Sequence, residues 1–152
     1  MKLFTIGFKG KSAETFFTAL QEAGVQKLID VRRSNASQLA GFTKGRDLPF
    51  FLRCLHIEYE HIPDLGPSDA LLREYRSRLG HKKKDDDAWD DYVGRYTAEL
   101  AAVPVTELFE KSASGFSAVC LLCSEEKPDR CHRRLLAERI ASVVDGIEIV
   151  HL

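Results

Sequence analysis

Cysteine is scarce in this sequence of 152 residues, with only Cys54, Cys120, Cys123 and Cys131. Four cysteines, three of them clustered near the C-terminus, are too few for the disulfide framework of a small secreted domain. We therefore expect reduced thiols. Long apolar runs are missing as well: the one at residues 1–8 is too short for a signal peptide, and no later run has the length of a membrane span. We expect a cytoplasmic protein with no membrane partner.

An excess of charge of one sign is also absent. Lys and Arg number 22, Asp and Glu number 23, and the formal net charge is -1. No overall basic field favours nucleic acid, so any such preference requires a local patch. Neither a Walker phosphate loop nor a G-x-G-x-x-G motif is present. The length and the hydrophobic fraction of 44% predict one globular domain over residues 1–152.

Strand-like and helix-like segments alternate along the chain. Short strands are predicted at residues 2–7 and 27–31, on either side of a helix that Ser12 caps and Gly24 ends. The apolar run at residues 118–123 has no polar face, which is typical of a central strand in a parallel sheet covered on both sides. Helices are also predicted after Asp47, after Pro67 and over residues 88–102, 104–112 and 131–144, and strands over 57–62 and 147–150. The pattern predicts a three-layer α/β fold with a mostly parallel sheet.

Two polar segments separate these elements. Residues 32–45 show no clean period and predict a long loop, and such loops often carry function. Residues 81–87 form a run of His, Lys and Asp that predicts a solvated connection.

The end of the central strand is the strongest candidate site. Ligands of open parallel sheets bind outside the carboxyl ends of the strands, where helix N-termini present free N–H groups. Cys123 ends the strand, and Cys131 opens the next helix beside His132, where we expect a lowered thiol pKa. Cys131 is the candidate nucleophile or ligand, His132 the proton carrier, Glu125 its orienting group or a base, and Arg133 the grip for a phosphate. The alternative is a buried small thiol, a surface histidine and solvated ion pairs.

Two other strand ends carry candidate ligand-binding residues. Strand alternation places Asp30 and Arg32 on one side, where both could line the crevice. The alternative is a mutual surface salt bridge. Gly7, at the end of the first strand, either lets a ligand approach backbone N–H groups or permits a turn.

Three other motifs have weak physical support. Cys120 and Cys123 have C-x-x-C spacing, but residues three apart in a strand point to opposite faces, which excludes a redox pair. A cysteine-phosphatase loop would need an arginine where Asp129 stands. A zinc site needs about four ligands, and these would have to converge in space from Cys123, Cys131 and His132 with Cys54, His56 or His61. We therefore assign no cofactor and no metal ligand, and keep a metal-supported domain as a minor alternative.

Five motifs resemble the family of the domain of unknown function DUF488: Thr5-Ile6-Gly7, Asp30-Val31-Arg32, Leu65-Gly66, Leu122-Cys123-Ser124-Glu125 and Cys131-His132-Arg133. The chain departs from the family pattern at Phe8 and in the loop after Arg32, which lacks the usual proline. The resemblance implies a Rossmann-like α/β domain and a link to nucleotide or nucleic-acid chemistry, without a settled activity.

Three functions compete at this stage. The first is an enzyme that acts on a phosphate-bearing ligand, a nucleotide or nucleic acid, with Arg32 and Arg133 as anion clamps. The second is a noncatalytic nucleic-acid-binding module with a basic surface and one stacking aromatic. That surface comprises Arg32, Arg33, Lys44, Arg46, Arg53 and Phe42. The third is the metal-supported domain. The sequence indicates no oligomeric state.

Overall fold

The computed structural model describes residues 1–36, 40–82 and 84–152. Its strands are β1 (Lys2–Gly7), β2 (Lys27–Asp30), β3 (Glu58–His61), β4 (Ala118–Cys123) and β5 (Glu148–His151). They form one sheet in the order β3-β2-β4-β1-β5, and every neighbouring pair is parallel. The prediction of a mostly parallel sheet is confirmed, and no described strand runs against the others.

Six helices cover the two faces of this sheet. They are α1 (Ala13–Glu22), α2 (Leu48–Cys54), α3 (Asp69–Leu79), α4 (Asp86–Ala101), α5 (Val105–Ala113) and α6 (His132–Val143). Helices α1 and α2 share one hydrophobic core with the sheet, and the other four helices share the second. The three-layer α/β fold is thus confirmed.

Strand β4 lies at the centre of both cores. Val119 and Leu121 pack into the core with α3 to α6, whereas Cys120 and Leu122 pack into the core with α1 and α2. The apolar run without a polar face is therefore explained by burial on both sides.

Local signals fix both ends of α1. The hydroxyl of Ser12 accepts a hydrogen bond from the backbone N–H of Thr15 at 3.0 Å, as a helix N-cap should. Gly24 follows α1 with φ at +66°, which glycine adopts without steric cost. Asp47 precedes α2 as its N-cap residue, but its side chain makes no cap hydrogen bond, contrary to what an aspartate at this position suggests.

The two polar segments are more structured than expected. In the loop after β2, Gly41–Thr43 forms a 3-10 turn, while residues 37–39 lie outside the described residues. In the charge run, Asp85 caps α4 by accepting from the N–H of Ala88 at 3.0 Å, so the helix starts within the run. Lys83 lies outside the described residues.

Three strand ends meet at one edge of the sheet. Gly7 pairs with Cys123, and Asp30 pairs with Leu122, so β1, β2 and β4 end side by side. Every candidate site residue lies at one of these strand ends or in the segment that follows it. No described helix is both long and apolar enough to cross a membrane.

Candidate functional site

A cleft of about 520 Å³ lies at the carboxyl ends of these strands. Its size falls in the range of about 300–1,000 Å³ that is usual for small-molecule sites. One wall is formed by the segments after β1, β2 and β4, and the facing wall by α3 together with Tyr92 of α4. Cys123, Cys131 and His132 all border the cleft.

These three residues form a compact buried cluster. The Cys123 and Cys131 sulfur atoms lie 3.0 Å apart, and the Nδ1 atom of His132 lies 3.6 Å from the Cys123 sulfur. Cys123 is the last residue of β4, Cys131 is the extended N-cap of α6, and His132 is its first residue. Their exposed fractions are 1%, 2% and 8%. The cluster exists because the end of the strand and the start of the helix meet beneath the loop that joins them.

The two thiols differ in acidity. Burial acts to raise the pKa of Cys123, but the hydrogen bond from Cys131 and the neighbouring His132 outweigh it, so this pKa lies well below its ordinary value. Burial, and then the hydrogen bond to Cys123, raise the pKa of Cys131 well above its ordinary value. The lowered thiol pKa that we predicted for Cys131 therefore occurs at Cys123, and the prediction for Cys131 is wrong. The Cys131 thiol is buried and donates to its neighbour.

Arg133 is fully buried and holds the loop between β4 and α6. Its Nη1 atom donates to the carbonyl oxygen of Glu125, its Nη2 atom to that of Glu126 at 2.9 Å, and its Nε atom to the hydroxyl of Thr5 at 3.3 Å. Because these contacts use each guanidinium nitrogen, the interpretation of Arg133 as an anion clamp is corrected: it positions backbone around the cluster.

Gly7 serves the same loop. A Cβ atom added at residue 7 would lie 1.6 Å from the carbonyl oxygen of Glu125 and 2.7 Å from the Nη1 atom of Arg133. The glycine allows the loop to approach β1, and Lys9 then donates its N–H to the Ser124 carbonyl at 3.0 Å. The group that closely approaches Gly7 is therefore a backbone carbonyl of the protein itself. The sequence analysis had offered a bound ligand as one alternative.

Asp30 and Arg32 form a buried ion pair. The Nε and Nη2 atoms of Arg32 reach the two carboxylate oxygens of Asp30 at 2.8 and 2.6 Å, and Nη2 also donates to the Thr43 carbonyl at 2.7 Å. The alternative of a mutual salt bridge holds, but the pair is buried and not at the surface. The hydroxyl of Tyr59 also donates to Asp30, and burial followed by the nearby carboxylate raises the pKa of Tyr59 to about 12. Arg32 borders the cleft with its donors already occupied.

Glu125 lies at the mouth of the cleft. Its carboxylate accepts from the Lys9 ammonium at 2.8 Å, and about half of its side chain is exposed. The carboxylate makes no hydrogen bond to His132 in the described structure, so the predicted orienting contact is absent there. A role as a proton acceptor remains a prediction.

Several cleft residues escaped the sequence analysis. Tyr75 and Arg76 of α3, Tyr92 of α4, Lys9 and Arg130 all line the cleft. The helical spacing of Leu72, Tyr75, Arg76 and Leu79 was the available signal, but it shows only that these residues share a face. It does not show which element that face covers.

The cluster also has the composition of a metal site. One sulfur from each cysteine and one nitrogen from His132 all lie within 4.8 Å of one another. The other suggested ligands lie elsewhere: Cys54 is exposed on α2, and His61 contacts the Arg32 carbonyl at 2.8 Å. Of the residues considered as zinc ligands, Cys123, Cys131 and His132 thus converge in space.

The comparisons with known proteins give one match. The family described as "Domain of unknown function DUF488" matches residues 12–140. The match includes Asp30 to Arg32, both cysteines of the cluster and Arg133, but not Gly7. No curated protein and no solved structure matches the chain. Since the matched segment spans most of the chain, including the cluster, the protein belongs to the DUF488 family.

Proposed function

We propose that this protein is an enzyme that binds a phosphate-bearing ligand, a nucleotide, in the cleft and acts on it beside the Cys123, Cys131 and His132 cluster. The observation that carries the proposal is the combination of cationic walls above a buried cluster of reactive side chains. Such convergence of ionisable groups in a cleft is a usual property of active sites.

The charge of the cleft walls supports an anionic ligand. Besides Arg32, whose charge is paired with Asp30, four basic residues line the cleft: Lys9, Arg33, Arg76 and Arg130. The acidic lining residues are Asp69 and Glu125, and Glu125 is paired with Lys9. Arg76 makes no ion pair with any described residue. The partners of Arg33 and Arg130, Asp64 and Asp86, are 74% and 85% exposed. Exposed pairs of this kind are worth little, so a phosphate group can replace them.

The aromatic side chains support a base attached to that phosphate. The rings of Tyr75 and Tyr92 lie 4.7 Å apart, and both border the cleft together with Leu72 and Leu79. This gives one wall an apolar surface next to the cationic rim. A phosphate with a planar ring system matches both parts of the wall.

Residues at the floor would carry the chemistry. Cys123, Cys131 and His132 are in reach of a ligand in the cleft, and Glu125 at its mouth supplies a carboxylate to accept a proton. Arg133 and Gly7 are positioning residues that hold the loop carrying Glu125. A cytoplasmic location belongs to the same proposal, and the four free thiols support it.

A nucleic-acid-binding module is the second candidate. Arg32 is buried and is not available on the proposed surface, and Phe42 is half-buried with its ring centre 5.5 Å from that of Phe16. Phe50 is 55% exposed, however, and the Arg53 guanidinium lies 5.7 Å from its ring centre. An exposed aromatic beside an arginine suits stacking on a base. Salt-dependent retention on oligonucleotides that is lost in Phe50→Ala would favour this candidate.

Thermal unfolding with and without ligands tests the enzyme proposal. The panel contains phosphate, pyrophosphate, nucleoside mono-, di- and triphosphates and short oligonucleotides. A ligand at about 100 times its dissociation constant adds about 2.7 kcal/mol, which raises the midpoint by several degrees. We expect a shift with a nucleotide in wild type that Arg76→Ala loses.

The matched control is Arg73→Ala, since Arg73 is an exposed arginine on the same helix that does not line the cleft. It should retain the wild-type shift. Equal shifts in the two variants would contradict the placement of the ligand, and no shift with any nucleotide would overturn the proposal.

A further inference from the structure

We infer that Cys123, Cys131 and His132 bind a single transition-metal ion, with Zn²⁺ as the reference, and leave its fourth coordination position open to the cleft. The inference deepens the proposed function and rests on it only for the identity of what occupies the open position. The metal site itself is argued from the cluster alone.

The spacing of the donor atoms suits a tetrahedral ion. Zn–S and Zn–N bonds of about 2.3 and 2.1 Å place two sulfurs about 3.8 Å apart and a sulfur and a nitrogen about 3.6 Å apart. The distance from Cys123 to Nδ1 of His132 is 3.6 Å. The two sulfurs lie 3.0 Å apart and would separate by roughly 0.8 Å to reach the tetrahedral spacing.

The donor types select the metal. Two sulfurs and one imidazole favour Zn²⁺ and softer ions over Mg²⁺ or Ca²⁺, which prefer oxygen ligands. Two thiolates and a neutral imidazole also balance the charge of a divalent ion. The cluster is buried beside core residues such as Tyr96, where that neutrality matters most.

A second observation concerns the ring nitrogen of His132 that does not face Cys123 and would not bind the metal. The Nε2 atom of His132 is buried and has no hydrogen-bond partner in the described structure. Buried polar atoms are nearly always bonded, and an unsatisfied one commonly marks a water or an ion that the protein atoms alone do not show. His132 is 8% exposed, so 92% of the residue is buried. Its other ring nitrogen, Nδ1, faces the Cys123 sulfur.

A cation lies directly beside the cluster. The Nη1 atom of Arg133 lies 3.6 Å from the Cys131 sulfur. Contacts of this type orient ligands and tune the metal in known sites. They also explain why the loop is fixed so closely by Arg133 and Gly7.

The number of ligands suggests a reactive site. Structural zinc sites use four protein ligands, whereas catalytic ones use three and leave a position for water or substrate. Within residues 1–36, 40–82 and 84–152, no fourth Cys, His, Asp or Glu joins the group. Since all three ligands border the cleft, the open position faces the proposed nucleotide, whose phosphate oxygen can occupy it.

Metal titration of untagged protein tests the inference. Protein treated with chelator is dialysed against Zn²⁺ or Co²⁺, and bound metal is measured by mass spectrometry and by thiolate-to-cobalt absorption. We expect about one equivalent in wild type, with affinity at least about 100-fold weaker in Cys131→Ser and His132→Gln. Cys120→Ala is the matched control, because Cys120 is buried on the same strand but faces the opposite core. It should bind as wild type does.

Alkylation of wild type provides a measurement without any variant. Bound Zn²⁺ should slow the labelling of Cys123 and Cys131 while Cys54 labels at an unchanged rate, since Cys54 is exposed on α2. Less than about a tenth of an equivalent of metal in wild type, or full binding by Cys131→Ser, would overturn the inference.

The failures of the two proposals are distinguishable. Arg76→Ala should bind metal normally and lose the nucleotide shift, whereas Cys131→Ser should lose the metal. Metal binding without any nucleotide shift leaves the metal site in place and removes the proposed function. A nucleotide-induced shift in protein that binds no metal removes the metal site and leaves the proposed function in place.

Discussion

The carbonyl oxygen of Glu125 occupies the space that a Cβ atom at residue 7 would need, with only 1.6 Å between the two positions. The contact joins the end of β1 to the loop that leads into the cluster. Because both groups in this contact belong to the backbone, no side-chain rotation can relieve it.

The first prediction concerns this contact. Gly7→Ala should lower the free energy of unfolding by about 2 kcal/mol or more, since a Cβ forced against backbone displaces the loop. Chemical denaturation measures the change. Gly94→Ala is the control, because Gly94 lies inside α4 with nothing within 4 Å of an added Cβ. That variant should gain about 0.5–1 kcal/mol. Equal effects of the two variants would contradict the role assigned to Gly7.

A second prediction follows from Arg133. Arg133→Lys should destabilise the protein by about 3 kcal/mol, because an ammonium group does not reach the carbonyls of Glu125 and Glu126 and the hydroxyl of Thr5 together. Arg139→Lys, an exposed substitution on the same helix, should change stability by less than about 0.5 kcal/mol. A neutral Arg133→Lys variant, measured by urea denaturation, would show that the guanidinium is not what holds the loop.

The sequence was sufficient for the fold and for the general position of the cleft and its Cys–His cluster. Alternating strand and helix patterns and the apolar β4 run predicted a parallel sheet covered on both faces. The rule that ligands bind at the carboxyl ends of such strands then placed Cys123, Cys131 and His132 together. These inferences depend on periodicity and chain direction, which a sequence contains.

The direction of individual side chains could not be predicted. Helix α6 begins with polar residues on every side, so no apolar stripe showed that Arg133 turns inward under the loop. The facing wall was missed for a related reason: Tyr75 and Arg76 reach the cleft only because α3 packs against α4 on that side of it. The direction of Arg133 and the position of α3 both depend on packing between segments that are distant in the sequence. The local hydrophobic pattern contains no information about such packing.

The third prediction concerns the buried ion pair. Asp30→Asn should cost about 3–5 kcal/mol of stability, because it leaves the Arg32 guanidinium buried without its carboxylate. Asp64→Asn removes the partner of Arg33 from a pair in which Asp64 is 74% exposed, and should cost less than about 0.5 kcal/mol. Thermal and urea unfolding of both variants measure the difference. Similar costs for the two would mean that the buried pair contributes no more than a surface one.

The fourth prediction is a pH dependence that arises at His151. Its Nδ1 atom lies 2.7 Å from the hydroxyl of Thr5, which also accepts from Arg133. Burial, and then the charges of Arg133 and Arg134, lower the pKa of His151, while Glu138 and Asp129 oppose this shift. The unfolded chain, with a histidine pKa of about 6.5, therefore binds the proton first as the pH falls. Stability from this group is complete above that pH and is lost as the pH falls through the lower folded value.

Urea denaturation at several pH values between about 7.5 and 5 measures this loss. The stability advantage of wild type over His151→Gln should shrink as the pH falls, because the glutamine carries no proton to bind. His81→Gln replaces an exposed histidine and should leave the pH profile of wild type unchanged. If the curves of wild type and His151→Gln run parallel over this range, the hydroxyl of Thr5 is not bonded to a neutral imidazole. The link from Arg133 through Thr5 to the β5 edge would then have no energetic consequence.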